Sequence, residues 1–99
     1  MYKVDYLPEA ITDILEARLY LHEFSPTAAS KFAEAVEKQT NILTEHPLIY
    51  PVSKYDESLR FIVLPYKYLL FYHVNETACL IEVYRVIRGM RDIQNILFE

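Results

Sequence analysis

The chain has 99 residues, 53% of them hydrophobic, and a formal net charge of −4. We expect residues 1–99 to form a single domain with one hydrophobic core, because a domain usually takes ~100 residues or more. The net negative charge excludes a protein that binds nucleic acid over its whole surface, for which a basic domain is expected. The acidity is concentrated before residue 50, so an anion-binding face is expected in the second half.

The residue types indicate a mixed helix and sheet domain. Nine tyrosines and five phenylalanines favour half-buried strands, and a single glycine disfavours a loop-rich β architecture. Cys79 is the only cysteine, and its place in an apolar run predicts a buried thiol and a reducing compartment. The sequence has no signal-peptide pattern and no apolar run of ~18 residues, so we expect a cytoplasmic protein without a membrane span.

The N-terminal segment predicts a short strand and then a helix. Residues 2–6 alternate apolar side chains with Lys3 and Asp5, which is the period of a strand with one solvated face. Pro8 suits the first turn of a helix. The apolar stripe of this helix recurs at spacings of three and four: Ala10, Ile14, Ala17, Leu21 and Phe24. Its acidic residues are expected to form a solvated face: Glu9, Asp13 and Glu16.

A second helix is predicted directly after the first. Ser25 is a suitable N-cap and Pro26 a suitable first helical residue. The connection is so short that the two helices must form a hairpin, whose apolar stripes are expected to face a sheet. Pro47 and Pro51 end the second helix and keep the segment after it irregular.

Three strands and a short helix are predicted in the second half. Residues 59–64, "LRFIVL", and 66–74, "YKYLLFYHV", are separated only by Pro65, which predicts a tightly joined antiparallel pair. Residues 79–87, "CLIEVYRVI", predict the last strand, and Gly89 ends it before a helix in 91–99. The predicted order is therefore β-α-α-β-β-β-α. Three tyrosines are expected on one face of the middle strand: Tyr66, Tyr68 and Tyr72.

No cofactor or metal site is predicted. The three histidines lie on three different elements, without the close spacing of zinc ligands: His22, His46 and His73. One glycine cannot build a phosphate-binding loop, and no serine has a histidine placed by the sequence as its base.

Basic residues follow the predicted strands of the second half. They are Lys54, Arg60, Lys67, Arg85, Arg88 and Arg91. We expect the sheet to bring Arg60 and Arg85 toward a common edge near Lys54. Guanidinium groups suit phosphates and carboxylates alike, so two interpretations stay open: contact with a partner, or internal ion pairs.

The segments "LRFIVLPYKYLLFYHV" and "IEVYRVIRGMRD" resemble the RelE/ParE toxins of bacterial type II toxin–antitoxin systems. The resemblance extends over nearly the whole chain, including both predicted helices and the "HPLIYP" bend. It implies an α+β fold in which a helical hairpin packs on a small, mostly antiparallel sheet. Fold alone does not choose between the two activities of this family.

One activity is ribosome-dependent cleavage of mRNA, and the resemblance implies an incomplete centre for it. Arg60 matches a basic position on the first of the three strands, and Arg88 or Arg91 matches one after the last strand. The basic position of the middle strand falls on Leu69, and the acid–base position near the C-terminus falls near Asn95. Loss of general acid–base groups costs typically ~10²- to 10⁴-fold in rate. The candidate catalytic residues of an RNase would be Arg60, Arg85, Arg88 and Arg91.

The ParE-like branch, whose members poison DNA gyrase without a nuclease centre, is the closer resemblance. It implies a growth-inhibiting toxin of a plasmid-stabilisation module that is neutralised by an antitoxin. It also implies either a homodimer of this chain or a heterotetramer with the antitoxin. We expect the antitoxin to dock along the hairpin and to contact the chain through Arg60, Arg85 and Arg88. The alternatives are a ribosome-dependent mRNA endonuclease and a non-toxic interaction domain that retains the fold.

Overall fold

The computed structural model describes residues 1–89 and 93–97. Its elements are β1 (Lys3–Tyr6), α1 (Pro8–Phe24), α2 (Pro26–Glu45), β2 (Arg60–Leu64), β3 (Tyr68–Asn75), β4 (Leu80–Arg88) and α3 (Ile93–Leu97). One turn of 3₁₀ helix, Pro65–Lys67, joins β2 to β3. The α+β class and the order β-α-α-β-β-β-α are the predicted ones. The predicted beginning and end of the last helix lie outside the described residues.

The four strands form one sheet in the order β1-β4-β3-β2. β1 runs parallel to β4, and the other two pairs are antiparallel, so the sheet is mostly antiparallel as predicted. Tyr72 pairs with Val83 and Phe71 with Arg85, which leaves Tyr84 as the extra residue of a β-bulge in β4. The bulge lies just beyond the point where β1 ends.

Each face of the sheet carries its own hydrophobic cluster. The helical hairpin packs on one face, where the rings of Phe32 of α2 and Tyr68 of β3 lie 5.0 Å apart. A smaller cluster on the other face joins Phe71 and Ile87 to residues of α3. The single core expected from the length is therefore divided by the sheet into two clusters.

Local signals explain where the helices begin. The Ser25 side chain accepts a hydrogen bond from the amide of Ala28 at 3.3 Å, and Pro26 is the first helical residue, as predicted. The predicted stripe of α1 is buried at Ala10, Ala17 and Leu21 but not at its end. Phe24, the last residue of α1, is 71% exposed, and its ring packs against Tyr20 of the same helix at 5.0 Å.

Two predictions about turns are wrong. Cys79 is an exposed residue with a φ of 52°, because the turn after β3 extends to it and β4 begins only at Leu80. Tyr66 does not share a strand face with Tyr68 and Tyr72, because it lies in the 3₁₀ turn with a φ of 65°. Tyr68 and Tyr72 are buried in the hairpin cluster, as expected for packing residues.

Gly89 ends β4 as predicted, and its backbone explains why glycine is there. Its φ is not positive, so left-handed freedom is not what the position needs. A Cβ atom at Gly89 would lie 3.3 Å from the carbonyl oxygen of Lys67, which also accepts the Gly89 amide at 2.6 Å. Glycine suits this close approach of two backbone segments, because a Cβ atom would force the Lys67 carbonyl to shift by a few tenths of an ångström.

Candidate functional site

Arg85 forms an internal ion pair with Asp13 of α1. The Arg85 Nε and Nη2 atoms donate to the two carboxylate oxygens at 2.7 and 3.1 Å. The two side chains are 21% and 11% exposed. Two parallel bonds from a guanidinium to a carboxylate give a specific, charge-assisted contact. Of the two interpretations left open for Arg85, the structure shows the internal ion pair.

Asp13 also completes the sheet where β1 stops. Its Oδ2 atom accepts the backbone amide of Val86 at 2.9 Å, on the side of β4 where no strand continues beyond the pair of Tyr6 with Val83. The prediction that Asp13 belongs to a solvated acidic face is therefore wrong, although Glu9 and Glu16 are exposed. A contact over 72 positions of sequence left no local pattern that would have revealed it.

Arg60 holds the irregular segment after α2. Its Nη1 atom donates to the carbonyl oxygens of Tyr50 at 2.6 Å and Leu48 at 3.4 Å. This contact fixes the bend that precedes β2. Arg60 thus binds backbone carbonyls of its own chain, a role that neither predicted interpretation included.

Arg88, at the end of β4, lies against Tyr20 of α1. Its Nη1 atom donates to the Tyr20 hydroxyl at 3.1 Å, and its guanidinium carbon lies 5.1 Å from the centre of the Tyr20 ring. The Nε atom is buried and has no hydrogen-bond partner among the described residues. A guanidinium with an unsatisfied donor favours an additional acceptor.

The three arginines are not brought to one edge. Arg60 lies on the edge strand β2 and pairs with Tyr72, whereas Arg85 lies on β4 and pairs with Phe71. The expected common edge near Lys54 is therefore wrong, because β3 lies between β2 and β4 in the sheet. Arg91 lies outside the described residues.

The face of the sheet around Leu69 is apolar. Leu69 lines a pocket of about 350 Å³ together with Phe61, Phe71 and Tyr55. The basic position that an RNase of the resembling family would place here has no cationic equivalent on β3, where the adjacent side chains of this face are Phe71 and His73. His73 in turn lies 3.3 Å from the carboxylate of Glu82.

Tyr72 cannot serve as an exposed acid or base. Its hydroxyl donates to the carbonyl oxygen of Pro47 at 3.1 Å, and burial raises the pKa of this hydroxyl from 10.0 to about 12. The residue is part of the hydrophobic cluster under the hairpin.

A groove runs between α1, α2 and the edge strand β1. It has a volume of about 790 Å³, and its apolar lining includes Ile11, Leu15 and Val36. Ile11 and Leu15 are exposed and stand four residues apart, on a face of α1 beside the buried stripe. The sequence analysis missed this second apolar face, although its spacing was visible.

The described residues hold neither a metal-binding cluster nor a membrane-spanning helix. No three histidine, cysteine or acidic side chains among residues 1–89 and 93–97 converge on a common point where a metal ion would be held. In the same part of the chain, no helix is both long and apolar enough to cross a membrane.

Comparisons with known proteins place the chain in a family. The sequence model of the family described as the ParE toxin of the type II toxin–antitoxin system, parDE, matches residues 4–93. No curated protein matches the sequence. A solved chain from the chromosomal ParDE TA system of P. aeruginosa superposes with a TM-score of 0.71 at 16% identity. The superposition covers 89% of this chain and 96% of that chain, and at this identity it shows a shared fold.

Proposed function

Because the chain belongs to the ParE toxin family of type II toxin–antitoxin systems, we propose that it inhibits growth by binding DNA gyrase and that a cognate antitoxin neutralises it. The observation that carries this proposal is the family match over residues 4–93. The inhibition works by occupying the target, so it needs no reaction centre in this chain.

The environment of the arginines supports binding over RNA cleavage. The charge of Arg85 is already neutralised by Asp13, and the Arg60 guanidinium is held by carbonyl groups of its own chain. Leu69 lies in an apolar pocket at the position where the RNase branch needs a cation. RNA recognition depends on phosphate neutralisation by several cations, and this face does not offer them.

The groove supports the proposed antitoxin contact. An amphipathic segment that is disordered alone gains affinity when it lays apolar side chains into such a groove. The exposed Ile11 and Leu15 would be covered by it. Of the predicted partner-binding arginines, we retain Arg88 as an antitoxin contact, since its guanidinium contacts the neutral Tyr20 side chain and no carboxylate of the described residues.

A gyrase assay tests the proposal. Purified, antitoxin-free protein is added to supercoiling and cleavage reactions, and its fold is checked by circular dichroism. We expect supercoiling to be blocked or cleaved DNA to be trapped, and we expect the added antitoxin to restore activity. Normal supercoiling with an excess of folded protein would reject gyrase as the target.

Primer extension on translated messages separates the alternatives. Cuts at the ribosomal A site after induction would establish the mRNA endonuclease instead. Induction that leaves growth unaffected would favour the non-toxic interaction domain. Growth arrest without such cuts, relieved by the neighbouring antitoxin gene, is the outcome that agrees with the proposal.

A further inference from the structure

A preformed pocket lies on the sheet face opposite the hairpin, away from the groove. Its volume is about 350 Å³, at the lower end of the ~300 to 1,000 Å³ of ligand pockets. The described residues that line it are Val52, Ser53, Lys54, Tyr55, Phe61, Leu69 and Phe71. Such a volume suits one large side chain better than a nucleotide or a helix.

Packing and hydrogen bonds fix the pocket walls. Phe71 is 1% exposed, and the ring centres of Tyr55 and Phe61 lie 6.4 and 6.3 Å from its own. The loop that carries Tyr55 is closed by the buried Ser53. The Ser53 amide donates to the Leu59 carbonyl oxygen at 2.7 Å, and the Ser53 hydroxyl accepts a hydrogen bond from the Tyr55 amide at 3.0 Å. A site held in this way needs little ordering on binding.

A cation without an acidic partner stands at the pocket mouth. The Lys54 ammonium lies 5.2 Å from the centre of the Tyr55 ring, and no carboxylate of the described residues lies within 4.0 Å of it. The acidic residue closest in sequence is engaged elsewhere, because Asp56 accepts the amide and the hydroxyl of Ser58 at 2.8 and 2.7 Å.

We propose that this pocket binds a large apolar side chain of an acidic peptide segment in a partner protein, and that a carboxylate flanking that side chain pairs with Lys54. The aromatic walls take the side chain, and the unpaired ammonium supplies the charge complementarity. A nucleic acid fits less well, since its phosphates need several cations and the mouth offers one. The site is separate from the groove and does not depend on gyrase being the target.

A tryptophan peptide makes the proposal measurable. The chain contains no tryptophan, so the emission of the capped peptide Glu-Glu-Trp-Glu-Glu reports its binding directly. We expect a saturable blue shift as the indole enters the pocket. Two matched peptides should bind at least ~10-fold more weakly. Glu-Glu-Ala-Glu-Glu, detected by competition, lacks the apolar side chain that enters the pocket. Lys-Lys-Trp-Lys-Lys keeps that side chain but carries the same charge as Lys54.

Variants of the chain locate the site. Lys54→Glu should weaken binding ~10-fold or more, because it replaces an attractive pair by a repulsive one. Lys31→Glu, a charge reversal on the exposed surface of α2, should change the affinity by less than ~2-fold. Leu69→Phe fills the pocket and should abolish the blue shift, whereas Leu15→Phe adds the same volume on the hairpin and should leave it intact.

Three results would overturn the proposal. One is an affinity that neither Lys54→Glu nor Leu69→Phe changes, in variants with the native circular dichroism spectrum. Another is a set of amide shifts in nuclear magnetic resonance spectra that maps to the hairpin instead of residues 52–71. The third is a dimer in sedimentation that Leu69→Phe dissociates, which would assign the pocket to a second copy of the chain.

Discussion

Asp13 shows how one side chain can continue a sheet. β1 ends at Tyr6, and the amide of Val86 on β4 would have no acceptor on that side. The Asp13 carboxylate accepts this amide and the Arg85 guanidinium together. An unpaired buried amide costs ~1 to 3 kcal/mol, so the carboxylate stabilises both the bulge and the position of α1.

We expect Asp13→Ala to lower the free energy of unfolding by ~3 kcal/mol, because it removes the carboxylate from a largely buried guanidinium and leaves the Val86 amide without its acceptor. Chemical denaturation measures this change. Glu16→Ala, which removes an exposed carboxylate of the same helix, should stay within ~0.5 kcal/mol of the parent. A double variant with Arg85→Met should cost less than the sum of the two single changes, and strict additivity would contradict the ion pair.

Tyr72 should make stability fall at alkaline pH. Its pKa is raised by burial from 10.0 to about 12, so between these values the unfolded chain loses the proton first. The contribution of Tyr72 is therefore complete below pH 10 and declines as pH rises toward 12. Denaturant unfolding at pH 8, 10 and 11.5 measures the decline.

Two hydroxyl deletions control this experiment. Tyr72→Phe loses the bond to Pro47, which costs ~1 kcal/mol at pH 8, but it should lose less stability between pH 10 and 11.5 than the parent. Tyr66→Phe removes an exposed hydroxyl in the 3₁₀ turn and should follow the parent. An equal alkaline decline in Tyr72→Phe would show that other groups cause it.

At the scale of the elements, the end of β4 is held by the turn before β3. The Gly89 amide donates to the Lys67 carbonyl, and Lys67 itself has a φ of 66°. Two successive non-glycine residues in the left-handed region, Tyr66 and Lys67, make this turn unfavourable by itself. The contact with Gly89 therefore helps to keep the turn in place.

Gly89→Ala should destabilise the chain by ~1 kcal/mol, because the new methyl group would lie 3.3 Å from the Lys67 carbonyl oxygen, a backbone atom that cannot rotate away. Thermal unfolding measures the effect, and amide hydrogen exchange should quicken at Gly89 and in the turn. Unchanged stability would mean that β4 and the turn separate at little cost.

Local chemistry makes the helices and strands predictable from the sequence. The contacts of the arginines are not predictable in this way. Pro8, Ser25 and Pro26 act on adjacent residues, so they mark helix limits in the sequence itself. The sequence predicts a strand at Cys79 because the apolar residues that follow it form β4, but the turn extends to Cys79. Pairs such as Arg85 with Asp13 depend on which faces the sheet presents, and strand pairing is set by the whole fold.

At the scale of the molecule, the sheet separates two surfaces of different chemistry. The groove beside α1 has a volume of about 790 Å³ and includes aliphatic side chains such as Ile11 and Leu15 in its lining. The pocket on the other face, of about 350 Å³, is lined by aromatic side chains and Lys54. A partner held at one surface leaves the other accessible. The chain can therefore contact two segments at once, which raises the overall affinity when both belong to one partner.

Leu15→Glu should weaken the binding of the proposed antitoxin ~10- to 100-fold, because it places a charge against an apolar helix face in the groove. Arg88→Ala should weaken it by a similar factor if its guanidinium meets an antitoxin carboxylate. Isothermal titration calorimetry measures both, with Lys31→Glu as the surface control. Native affinity in both variants would move the antitoxin away from this side of the hairpin.

The pairing of β1 with β4 also decides when during synthesis the protein can fold. Lys3 pairs with Leu80 and Tyr6 with Val83, so β1 cannot pair until the ribosome has made a segment more than 70 residues further along the chain. Contacts of such long sequence separation form late, because a long loop must close first. A nascent chain that ends before Leu80 lacks the strand on which β1 pairs and α1 packs. Translation that stalls before that point therefore releases a fragment that cannot assemble the sheet, and the folded domain exists only after β4 has been made.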